Sequence, residues 1–254
     1  MMKSWLAALC CSLALTSVSA EELTVAAAEL APHAGQQVPN KGWVPRLLSY
    51  ALAERGYKTN VVFMPFRRAL SSAQQGQVHA MAPLYKSPAR EQLMIFSEPL
   101  AYSQTAIFYH HQKPIAFEQV ANLARLKIAV MRGARVSDEF DRASEIIKVE
   151  VSSYEQLVRM LVARRVDGLV GEEFVVRNAM LTAGISEQVL VQADQPLATQ
   201  GLYAAVSKQL PNAIALVEAI NEGVNAARDS GKLSEILAEY AMQEEAGTLR
   251  MKQD

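Results

Sequence analysis

The sequence predicts an α/β protein built from two similar lobes. Three observations lead there: the chain after residue 20 opens strand, helix, strand; two later segments repeat one helix-to-strand unit; and a fresh strand begins between them.

The first twenty residues, MMKSWLAALCCSLALTSVSA, carry a lysine, an apolar run and small residues ending in Val18-Ser19-Ala20. That is the layout of a secretory signal peptide cleaved after Ala20, and the run is shorter than the roughly 20 residues a membrane span requires. Cys10 and Cys11 both fall inside it, so the exported chain is expected to hold no disulfide and no thiol nucleophile. The expectation is a periplasmic protein.

From there the elements follow in order. Leu23-Thr24-Val25-Ala26 reads as a buried strand, and APHAGQQVPNKG, rich in Pro, Gly and Asn, as a loop. WVPRLLSYALAERGY places Leu47, Leu48, Ala51 and Leu52 at helical spacing and stops at Gly56, a suitable C-cap. KTNVVFMPF is the second strand. The repeated unit comes next: Phe66 begins the helical stretch FRRALSSAQQGQ, which runs into a strand at Val78, and Tyr154 begins YEQLVRMLVARR, which runs into a strand at Val166. The aromatic-to-valine spacing is the same in both, which predicts two like lobes rather than one continuous sheet. Between them LKIAVMRGARVSDEF predicts a strand over 126–130, a tight loop over 132–135 and a helix from Val136 onward. GISEQVLVQADQPLATQGLYAAVSK brings the chain back, and 211–240 read as a helical region broken near Gly231. The polar tail QEEAGTLRMKQD is expected to fray.

At 254 residues and 50% hydrophobic, the chain can bury one large core or two smaller ones, which excludes a disordered protein. Its net charge of −1, from 25 basic and 26 acidic residues, argues against nucleic acid as a partner. His33, His79, His110 and His111 match no closed metal-ligand spacing, so no metal or other cofactor is expected. Neither a Gly-rich phosphate loop nor a Gly-x-Ser-x-Gly nucleophile turn is present.

One stretch is more specific. In SPAREQLMIFSEPL, Ser87 and Arg90 precede Phe96-Ser97-Glu98-Pro99-Leu100, and this pattern resembles the periplasmic solute-binding proteins of family 3, the polar amino-acid ABC transporter type. VDGLVGEEF is similar to that family's second-lobe ligand strand, IAVMRGARV to its strand and anion loop, and EILAEY to its closing helix. The resemblance implies a type II-like periplasmic binding protein fold whose two crossover strands lie near 105–111 and 198–206. Lobe 1 would then comprise 21–106 and 199–254, and lobe 2 would comprise 107–198. It also implies a monomer that carries a small-molecule solute to an inner-membrane ABC permease.

Site roles follow from the same resemblance. Arg90 would hold a ligand carboxylate, because a planar guanidinium donates two parallel charge-assisted bonds. Glu172, where the family more often has aspartate, would take an ammonium group. Trp43, Phe66, Tyr85 and Tyr102 are candidate aromatic walls. The family's hydroxyl-bearing residues are replaced by Ala82-Pro83-Leu84-Tyr85-Lys86 and by Gly133-Ala134-Arg135. Arg135 or Arg132, with the N–H groups of the following helix, would then bind the anion. Two alternatives stay open: a cyclohexadienyl dehydratase-like enzyme using Glu172 or Glu173 as an acid, and a ligand sensor signalling to a membrane partner.

Overall fold

The computed structural model describes residues 21–245 and 247–251; the expected leader and its cysteines lie outside the described residues. In chain order, β1 is Glu21–Ala27, α1 Trp43–Ala53, β2 Tyr57–Phe63, α2 Phe66–Gln74, β3 Ala80–Tyr85, α3 Pro88–Glu91, β4 Met94–Phe96 and β5 Ala101–His110. There follow β6 Lys127–Met131, α4 Asp138–Arg142, β7 Ile147–Val151, α5 Tyr154–Val162, β8 Gly168–Glu172, α6 Glu173–Thr182 and β9 Leu190–Gln192. The last elements are β10 Ala198–Ser207, α7 Ala213–Asp229, α8 Lys232–Ala238, β11 Met242–Glu245 and β12 Thr248–Met251.

The strand order β2-β1-β3-β10-β5-β8-β6-β7 is two copies of one pattern placed back to back. In each half three strands run parallel, β2-β1-β3 and β7-β6-β8, and a long antiparallel strand closes the inner edge, β10 on β3 and β5 on β8. This is the two-lobe α/β fold, with β5 and β10 as its crossovers. The expected gap between two sheets does not exist, because the crossovers pair with each other, Ala198–Leu202 against Ala101–Thr105. Hydrogen bonding is thus continuous through the hinge.

Packing separates the halves. Leu23, Trp43, Leu48, Leu202, Leu216 and Ile236 belong to one buried cluster, while Phe108, Leu157, Leu161 and Leu169 belong to another. A third cluster around Ile107, Ile128 and Phe140 covers the opposite face of the second half. Sheets buried on both faces need these near-continuous apolar strands, such as GLVGE in β8, all five of whose residues are buried.

Two elements differ from the sequence reading. The helix after Val136 is only five residues, begun by Ser137, whose hydroxyl accepts the Phe140 N–H. The tail does not fray over its described part: β11 and β12 form a hairpin with Met242 and Leu249 buried, and Thr248 pairs in parallel with Tyr102 on β5. Arg228 fastens it, donating to Glu244 and to the Leu100 carbonyl. No helix among the described residues is long and apolar enough to cross a membrane.

Candidate functional site

The carboxyl ends of β1, β3, β6 and β8 face one cleft of about 500 Å³ between the halves, which is where open α/β sheets present ligand sites and within the usual range for small molecules. Phe66, Tyr85, Arg90, Arg135 and Glu172 all line it. Trp43 and Tyr102 do not. Trp43 is buried in the first-half core, and Tyr102 sits on the hinge strand, where its N–H donates to the Gly247 carbonyl of the hairpin.

Arg90 lies on α3, the short turn that Ser87 opens. Its Nη1 donates to the Tyr85 carbonyl, its guanidinium carbon stands 5.5 Å from the Phe66 ring centroid, and no carboxylate among the described residues pairs with it. Partial burial lowers its pKa from the ordinary value, but a guanidinium remains charged in a protein. One bond to the chain and a ring beneath it leave the rest of the donor fork, in a residue that lines the cleft, without a carboxylate partner among the described residues. The Phe-Ser-Glu-Pro segment has a different task. Phe96 pairs with Ala205, the Ser97 hydroxyl accepts the Ala204 N–H, and Glu98 is held by Asn221 and Asn225 of α7. It anchors the Arg90 turn to crossover β10.

Glu172 ends β8 and caps α6. Its Oε2 accepts the Val175 N–H at 2.8 Å, three residues on, satisfying one of the free donors at the helix start. The same oxygen faces His33 Nε2 at 3.0 Å, while Oε1 is buried without a hydrogen-bond partner. Two tyrosines flank it: burial first, and the Glu172 charge second, raise the pKa of Tyr85 and of Tyr154 well above the ordinary phenol value. Both rings line the cleft.

The other cations of the cleft already have carboxylate partners, while among its carboxylates Asp141 Oδ2, like Glu172 Oε1, is buried without a hydrogen-bond partner. Arg135 donates to Asp138 at 2.9 Å, Arg132 lies 3.5 Å from Glu150, and Lys86 pairs with Glu91 at 2.9 Å. The first turn of α4 carries Asp138, Glu139 and Asp141, so the anion expected there would meet carboxylates. Glu173 is tied to Arg177 at 3.2 Å and lies outside the cleft lining. Among the described residues, no group of three or more His, Cys, Asp or Glu could hold a metal.

Sequence reasoning missed His33 and Tyr154. Tyr154 could have been found, since it stands in the second unit where Phe66 stands in the first. His33 had no local signal, because its partner Glu172 is 139 residues away.

The model of the bacterial extracellular solute-binding proteins, family 3, matches residues 26–243. No curated protein sequence matches the chain. Among solved structures, a histidine kinase sensor domain with similarity to periplasmic binding proteins is 19% identical with a TM-score of 0.75, covering 87% of this chain and 96% of that one. An amino acid ABC transporter substrate-binding protein, AbpA from Streptococcus pneumoniae, bound to L-arginine, is 21% identical with a TM-score of 0.70, covering 86% and 94%. The GluR0 ligand-binding core from Nostoc punctiforme, in complex with L-glutamate, is 16% identical with a TM-score of 0.71, covering 86% and 98%. These likenesses establish the fold, and the match over residues 26–243 establishes the kinship: the chain belongs to the bacterial extracellular solute-binding proteins, family 3.

Proposed function

We propose that this chain is a monomeric periplasmic binding protein that captures an amino-acid-like or small carboxylate solute and delivers it to an inner-membrane ABC permease. Its lobes would be 21–106 with 199–254, and 107–198. The observation that supports this is a single cleft lined both by a guanidinium with no carboxylate partner and by a buried carboxylate with one free oxygen. Two poles of opposite sign suit a zwitterion: the ligand carboxylate on the fork of Arg90, the ammonium on Glu172 Oε1, and the side chain against Tyr85, Phe66 and Tyr154. Arg135 would join the site only by leaving Asp138, an exposed pair whose loss costs little. No bond need be made or broken. The ligand favours the closed arrangement by its greater affinity for it, and the permease reads that arrangement.

The test is a thermal-shift screen of the purified protein and its Arg90→Ala variant against amino acids, dicarboxylates and prephenate-like acids. A ligand at a hundred times its Kd adds about 2.7 kcal/mol, which raises the midpoint by roughly 2–4 °C per kcal/mol. A shift with one solute class, absent in a folded Arg90→Ala, is the expected result. An equal shift in the variant would remove Arg90 from the site, and consumption of the added acid would replace capture by catalysis. The likeness to a sensor domain supports a second reading in which closure signals to a kinase. Uptake of the labelled solute by cells lacking the gene separates the two, since transport falls only under the first.

A further inference from the structure

A chain of hydrogen bonds runs from the core of the first lobe to the cleft face of the second. Trp43 Nε1 donates to His33 Nδ1 at 2.7 Å, and His33 Nε2 meets Glu172 Oε2 at 3.0 Å. Relative exposure is 0% at Trp43, 0% at His33 and 4% at Glu172, so water competes for none of these bonds.

The first bond decides the state of the second. An indole N–H can only donate, so His33 Nδ1 presents its lone pair and the imidazole proton sits on Nε2. That proton points at Glu172. Because the Val175 N–H is also on Oε2, both donors load one oxygen and Oε1 is left free. The oxygen left for the cleft is thus set by His33 and the Val175 N–H, with Trp43, a residue that does not line the cleft, holding His33 in the donating tautomer.

The imidazole has little freedom to do otherwise. The His33 backbone carbonyl accepts the Val44 N–H of α1 at 3.1 Å. Gly42, at φ +101°, passes so close that a Cβ there would stand 2.5 Å from the same carbonyl oxygen. The ring meets Trp43 and Phe174 edge-on, with centroids 5.8 and 6.1 Å away. Phe174 follows Glu172 by two residues, on the helix that Glu172 caps, yet it packs into the first lobe's core cluster. The helix start and the carboxylate are therefore both docked on the opposite lobe.

We propose that Trp43 and His33 are positioning residues that hold Glu172 with one oxygen free and, through the same contact, latch the second lobe onto the first. The role of the free oxygen rests on the binding reading given above; the tautomer and the latch do not, and both can be tested on ligand-free protein. With nitrogen-15 histidine, long-range correlation spectra should show one His33 tautomer, Nδ1 bare and Nε2 protonated. Trp43→Phe, which keeps a ring and removes the N–H, should shift the bare Nδ1 resonance by taking away its donor, while the Glu172 carboxylate keeps the proton on Nε2. Small-angle scattering should show a larger radius of gyration for His33→Leu and the wild-type radius for His33→Gln, whose amide can accept from Trp43 and donate to Glu172. An Nδ1–H tautomer in the wild type, or His33 signals unchanged by Trp43→Phe, would overturn the relay. Scattering from His33→Leu identical to wild type would overturn the latch. If no solute in the panel binds but these signatures hold, the relay stands and the ligand reading falls.

Discussion

In the first half of the chain α2 begins at Phe66 and feeds β3, which ends at Tyr85; in the second, α5 begins at Tyr154 and feeds β8, which ends at Glu172. All four residues line the cleft. The settings differ. Phe66 is 44% exposed and lies under the guanidinium of Arg90, whereas Tyr154 sits beside a carboxylate that is almost wholly buried. One architectural unit thus leads into the α3 turn with its partly exposed cation, the wet grip of the proposed site, and, repeated, ends on the buried carboxylate that would be its dry one. The wet grip needs little from the protein, because a guanidinium keeps its charge and this one is only partly buried. The dry grip cannot stand alone, since a buried carboxylate without donors is costly, and so it recruits His33 from the other lobe and the N–H groups of its own helix.

Breaking the dry grip should cost most. Glu172→Gln keeps the shape and removes the charge, and binding of whichever zwitterion shifts the wild type should weaken by about 2–5 kcal/mol, read by calorimetry. A loss under about 1 kcal/mol would mean that no cationic group sits there. Arg90→Lys keeps the charge but loses the planar fork, with an expected loss of about 1.5–3 kcal/mol in the same titration; an affinity equal to wild type would reduce Arg90 to a point charge. Phe66→Ala removes only the ring beneath the guanidinium and should cost about 0.5–1 kcal/mol. Were it to match Arg90→Lys, the contact of Phe66 with the ligand side chain would outweigh its stacking on Arg90.

The smallest effect is nil at neutral pH and grows in alkali. Burial raises the pKa of Tyr85 and Tyr154 in the folded protein, while in the unfolded chain they ionise near about 10. The folded state then holds protons that the unfolded state releases, so this contribution to stability is complete below that pH and is lost as pH rises above it. The double variant Tyr85→Phe with Tyr154→Phe should show a shallower fall of its urea midpoint between roughly pH 10 and 12 than the wild type. Parallel falls would show that the two hydroxyls are not the source.

How much of this was legible depended on the range of the contacts. Apolar spacing in WVPRLLSYALAERGY and in the two helix-to-strand units is local, and those elements lie where the sequence put them, down to a positive φ at Gly56. Arg90 could be named because an adjacent motif marks it. Trp43 was expected as a candidate for the cleft wall because it is aromatic, but large aromatics most often fill cores, and its contact with His33 becomes visible only in the fold. His33 itself reads as a lone histidine in a loop. The terminal hairpin looked like a polar tail because the surface it covers, the region of Tyr102 on β5, is far away in sequence and brought near only by the finished fold.

That hairpin bears on how closure can be observed. It rides on β5, the crossover strand that would bend if the lobes close, and lies apart from the residues lining the cleft. A spectroscopic reporter carried on it would sense any movement of that crossover while the cleft stays chemically untouched, which suits the hairpin to carrying a label in a solute screen.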